Sequence, residues 1–119
     1  MSQNFQAGDF LIFQIESGYG LLRILAIDEA GGEKIWHLAA YNELFFDVET
    51  ADAALVSPQL LTVSIPHVAL TTRAFEATQT ARMTNVSLND TELKPLEDWR
   101  QSETPEVSDR SIRLLLGLR

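Results

Sequence analysis

GDFLIFQIESGYGLLRILAID, residues Gly8–Asp28, holds two apolar runs, Phe10–Ile15 and Leu21–Ile27, around the break Glu16-Ser17-Gly18-Tyr19-Gly20. Runs this short suit a strand better than a helix. Phe and Ile dominate the first run, and such side chains fit a pleated surface. Gly18 and Gly20 can take positive φ without steric cost, so the chain is expected to reverse there as a β-hairpin. Alternation places Phe10, Ile12 and Gln14 on one face and Leu11, Phe13 and Ile15 on the other. Both faces are mostly apolar, which predicts a hairpin covered on two sides. Gly8-Asp9 reads as the turn that launches the first strand.

Further strands follow. Gly31-Gly32 within Asp28–Lys34 is a hairpin signal, and Ile35–Ala39 reads as strand three of a meander. Tyr41–Val48 fits either period, and a short strand over Glu43–Val48 is the preferred reading. Thr50–Val56 looks like one or two helical turns with Thr50 as N-cap. Leu60–Ile65 reads as a strand stopped by Pro66. Val68–Glu76 and Ala81–Leu88 are weaker strand-like segments. Pro95 suits a first helical turn, which places a short helix from near Lys94 to Trp99. Gln101–Val107 is a polar linker. Ser108 then offers an N-cap to a C-terminal helix with Ile112, Leu115 and Leu116 on one face and Gly117 as terminator.

The expected fold is therefore β-rich α+β: a strongly bent antiparallel sheet or a small, partly open barrel, with one or two short C-terminal helices. The 119 residues, 45% apolar, suffice for one domain with a single core. No apolar run approaches the ~18 residues of a spanning helix, so no membrane contact is expected. The N-terminal MSQNFQAGD shows no secretory pattern. Cys is absent, which excludes disulfides, thiol catalysis and Cys-ligated metals. A cytoplasmic location is compatible with all of this.

The net charge of −8 is unevenly placed. Residues 1–70 carry nine acids against Arg23 and Lys34, a net of −7; residues 71–119 carry eight acids and seven bases. Such a surface repels phosphate backbones, so no nucleic-acid partner is expected. A basic protein partner is admitted. Simple solubility is the plainer reading of the charge. As a contact surface the acidic region offers Asp28, Glu29, Glu43, Asp47, Glu49 and Asp52, with Tyr19 at a turn tip as an aromatic anchor.

Catalytic patterns are sparse. His37, Glu43, Asp47 and Asp52 are the candidate metal ligands, but no HExxH or EF-hand spacing is present, and a solvated acidic rim explains them. Ser17 lies in ESGYG, which is not GxSxG. Ser64 and His67 stand three apart with Pro66 between them. Any Ser–His dyad must use His37 or His67, the only two histidines, and a satisfied or half-exposed ring is the plainer reading of each. Gly18-Tyr19-Gly20 lacks the third glycine and the following helix of a dinucleotide fingerprint. No cofactor is implied. A small ligand-binding or hydrolytic domain using His37 or His67 remains the alternative to an interaction module. The apolar, arginine-bearing tail Asp109–Arg119 reads either as a helix docked on its own domain or as a homodimer contact through Ile112, Leu115 and Leu116.

The order of Gly8-Asp9, an apolar strand, Gly18-Tyr19-Gly20 and a second apolar strand with Arg23 resembles bacterial immunity proteins of polymorphic toxin systems. Phe46-Asp47-Val48, a Pro-terminated strand and a fainter Thr72-Arg73-Ala74-Phe75 extend the likeness. The resemblance implies a small SH3-like β barrel and a non-enzymatic inhibitor that binds a toxin in the cytoplasm. It brings no catalytic residues. The acidic half would then suit a basic toxin such as a nuclease.

Overall fold

The computed structural model describes residues 4–118. Five strands form one antiparallel sheet in the order β4-β3-β2-β1-β5: β1 (Asp9–Ile15), β2 (Gly18–Ala30), β3 (Glu33–Phe45), β4 (Val63–Thr71) and β5 (Thr80–Asn85). The sheet stays open, with β4 and β5 as its edges, which overturns the β-barrel expectation. Among the described residues four α-helices are added, α1 (Val48–Ala54), α2 (Thr72–Glu76), α3 (Asp90–Gln101) and α4 (Ile112–Leu116), with a single 3-10 turn at Pro58–Leu60.

The first hairpin forms as the alternation predicts, but its glycines act differently. The reversal falls on Glu16-Ser17, between paired Ile15 and Gly18. Neither Gly18 nor Gly20 has positive φ. Both are needed for close approach instead. A Cβ on Gly18 would lie 2.2 Å from the Phe45 carbonyl oxygen, and one on Gly20 would lie 2.6 Å from Cζ of Phe13. The second hairpin does use left-handed glycines: Gly31 and Gly32 have φ of 60° and 83°, the signs a type I′ turn requires.

Alternation across this sheet gives two buried faces. One carries Leu11, Phe13, Leu22, Ile24, Trp36, Leu38 and Leu70, closed by Phe75 of α2 and Ile112 of α4. The other carries Phe10, Ile12, Leu21 and Tyr41 under Ala51 and Leu55, at the end of α1. Beside them Leu25 and Ala39 lie under Leu96 of α3. Leu96 is almost fully buried and contributes roughly 2 kcal/mol of hydrophobic stabilisation.

Several boundaries move. The strands expected at Ile35–Ala39 and Glu43–Val48 are one strand, β3, which ends at Phe45. Asp47, not Thr50, caps α1, accepting from both the amide and the hydroxyl of Thr50. β4 begins at Val63 and runs through Pro66 instead of stopping there. An edge strand tolerates a proline, and the β3–β4 register shifts around it. α3 starts at Asp90 because Asn89 and Glu92 form a reciprocal capping box, and Pro95 lies inside the helix. α4 is capped by Ser111 instead of Ser108 and ends at Gly117 in the left-handed conformation. Ser108 instead extends the sheet: its amide donates to the Ala69 carbonyl, and its carbonyl accepts from the Thr71 amide. Residues 106–110 thus form a strap along β4.

Candidate functional site

Two regions stand out. The first lies under α3. Asp28 on β2, His37 on β3 and His67 on β4 are far apart in sequence, yet the register aligns them. His37 pairs with Ala26 on one side and Ala69 on the other. Asp28 and His67 each sit two residues from those partners, so all three side chains share a face as diagonal neighbours. The result is a chain. His37 Nε2 lies 2.9 Å from Asp28 Oδ2, and His37 Nδ1 lies 2.9 Å from His67 Nε2.

Chemistry fixes the protons. A carboxylate only accepts, so His37 Nε2 carries the hydrogen and donates it to Asp28. His37 Nδ1 is then a lone pair and accepts from His67 Nε2–H. His67 Nδ1 is left as an acceptor, with no hydrogen bond to any described residue. Burial lowers the pKa of His37 against the opposing pull of Asp28. Burial, with His37 and Arg100 nearby, lowers that of His67 to about 4. Both rings are neutral at pH 7.

α3 holds this chain in place from both of its ends. Glu92 in its first turn takes a two-pronged ion pair from Arg23, at 3.0 and 3.2 Å. Arg23 is buried, donates also to the carbonyls of Gly8 and Ser87, and lies over the Phe10 ring. In the last turn Arg100 donates to Asp28 Oδ1 at 2.7 Å. Trp99 stands edge-on to His37, with centroids 4.8 Å apart, and tilts over His67 at 5.9 Å. Its indole N–H donates to the Glu106 carbonyl.

The second region is the excursion between β3 and β4. It closes where the Asn42 amide bonds the Thr62 carbonyl and where the Glu43 carboxylate accepts from the Thr62 amide. Among the described residues eight large apolar side chains are exposed; four of them, Phe46, Val48, Val56 and Leu60, fall here, and two more, Leu44 and Val63, stand on the strand ends that flank it. Phe46 is 90% exposed. Four carboxylates, Glu43, Asp47, Glu49 and Asp52, accompany them, and no Lys or Arg occurs between Lys34 and Arg73. Glu43 is held below the usual carboxylate range: partial burial opposes this, but the Thr62 hydrogen bonds outweigh it. The Thr50 hydroxyl and amide do the same for Asp47.

The acidic contact set of the sequence therefore divides. Glu43, Asp47, Glu49 and Asp52 belong to the excursion. Asp28 belongs to the imidazole chain, and Glu29 lies exposed near the Gly31-Gly32 turn. Tyr19 is half-buried opposite Phe45 and packs against the cluster that contains Phe10 and Tyr41. The metal candidates His37, Glu43, Asp47 and Asp52 are not brought together, and no group of three potential ligands converges among the described residues. Ser64 makes no bond to His67; His37 does. Ile112, Leu115 and Leu116 pack against this chain's own core, which leaves Leu114 as the exposed apolar residue of α4. Arg119, part of the tail considered above, lies outside the described residues. No helix among them is long and apolar enough to cross a membrane.

The His–His–Asp chain was missed because ending a strand at Pro66 removed His67 from the sheet. The Arg23–Glu92 pair had a visible signal: a lone arginine inside an apolar strand needs a buried partner. Comparison of this chain with family models, with curated proteins and with solved structures finds no significant match in any of the three.

Proposed function

We propose that this domain is a non-catalytic protein-interaction module that binds a basic partner protein on the excursion between β3 and β4. The observation that carries the reading is that, of the eight exposed large apolar side chains among the described residues, four lie on this excursion and two on the strand ends beside it. Exposed apolar groups gathered in one region mark contact sites, because isolated surface residues do not need to cluster. Phe46 and Leu60 supply desolvation energy, and aromatic anchors dominate interface energetics. The four carboxylates select the partner's charge and speed its encounter. A second copy of this chain, itself at −8, is disfavoured by like-charge repulsion. If the resemblance to immunity proteins holds, the partner is a basic toxin and the domain its cytoplasmic inhibitor.

The test compares the protein with Phe46→Asp as bait, at about 0.05 and about 0.5 M salt, with captured chains identified by mass spectrometry. The expected result is a basic partner, weakened by salt and lost with Phe46→Asp. An acidic partner, or one retained equally by the variant, refutes this docking face.

A further inference from the structure

A hollow of about 480 Å³ lies between β4, Trp99 and the strap, with Leu115 at one side. It falls within the usual size of a small-molecule site. Several of its polar groups are engaged, while the Glu106 and Arg110 side chains stand at its rim. The Trp99 indole N–H is bonded to the Glu106 carbonyl, and the backbone amide and carbonyl of Ser108 are bonded to β4. The Ser108 hydroxyl accepts from the Arg110 amide. His67 lines this hollow, and the two nitrogens of an imidazole point in divergent directions. With Nε2 committed to His37, Nδ1 faces away from that contact as a solvent-accessible acceptor.

We propose that this hollow binds a small neutral molecule with an apolar ring and an O–H or N–H group, its ring against Trp99 and its hydrogen donated to His67 Nδ1. The buried chain behind His67 does the selecting. Asp28 fixes the His37 tautomer, and His37 fixes that of His67, so Nδ1 cannot turn into a donor. A donor arriving at Nδ1 also extends a run of aligned hydrogen bonds ending on a carboxylate, and each bond in such a run polarises the next. A ring that accepts and does not donate forgoes the bond to Nδ1. The site uses β4, α3 and the strap, so it stands or falls independently of the docking face.

The chain has only two histidines, so its imidazole nitrogens can be resolved by ¹⁵N NMR at pH 7. The free protein should show His67 Nδ1 unprotonated and Nε2 protonated. Phenol is the probe and anisole, its methylated counterpart, the control. Phenol should move the His67 Nδ1 signal saturably and bind about tenfold tighter than anisole, the worth of one net hydrogen bond. His67→Phe should bring the two affinities together. A protonated His67 Nδ1 in the free protein overturns the proposal, as does an unsaturable response to phenol. Equal binding of phenol and anisole overturns it as well, without recourse to the variant.

Discussion

The face under α3 and the excursion between β3 and β4 handle polarity in opposite ways. Under α3, charge is paired: buried Arg23 with Glu92, and half-buried Asp28 with His37 and the exposed Arg100. On the excursion, apolar groups are left in water on a stretch that also carries carboxylates and no Lys or Arg. A buried charge without its partners is costly, so the α3 face must be complete within the chain. An exposed Phe46 costs the fold little but gains much on contact. The contrast separates a region that holds the domain together from one that is free to serve something else.

That contrast yields ordered predictions. The largest effect is expected at Arg23. Arg23→Ala takes the charged partner from Glu92, one donor each from the carbonyls of Gly8 and Ser87, and the guanidinium packed on Phe10, so unfolding in urea should lose about 3–5 kcal/mol. A loss under about 1 kcal/mol would mean the α3 face does not depend on its buried ion pair.

Acid comes next. Both imidazoles have folded-state pKa values below the unfolded value of 6.5. The folded state therefore resists the proton, and the histidine contribution is complete above about pH 6.5 and lost as pH falls toward about 4. Stability should drop over that window by about 1–2 kcal/mol, after discounting for the partly exposed His67. His67→Gln should flatten the drop. The carboxylates held low on the excursion, Glu43 and Asp47, act only from about pH 4.5 downward. Urea midpoints measured between about pH 7 and about pH 5 isolate the histidines from them. The smallest stability effect is expected for Phe46→Asp, within about 0.5 kcal/mol by the same measurement. A larger loss would show that Phe46 supports the fold and would blur the distinction between the two regions.

Much of the sheet was legible because a period of two over Phe10–Ile27 admits few alternatives, and Gly31-Gly32 names its own turn. The capping box of α3 was also written plainly, in Asn89 and Glu92, but Pro95 drew the helix start toward itself. What stayed hidden was register. Nothing local to Asp28, His37 or His67 shows that a bulged β2–β3 pairing and a strand continuing past Pro66 place them in a line. The acidic residues were visible individually, whereas their division between a buried chain and an apolar excursion depends on which side chains α3 covers. Gly18 and Gly20 were recognised as special for the wrong cause: the constraint is a neighbour's carbonyl and ring, which sequence does not display.

The strap at Ser108 has a consequence for how this molecule meets its own kind. An open sheet offers two unpaired rims on which another strand can polymerise. Along β4, Pro66 lacks a hydrogen to offer, and Ser108 already occupies the carbonyl of Ala69 and the amide of Thr71. The chain's last segment thus acts as a guard against ribbon-like growth from that rim. Removing it would convert a finished edge into a template.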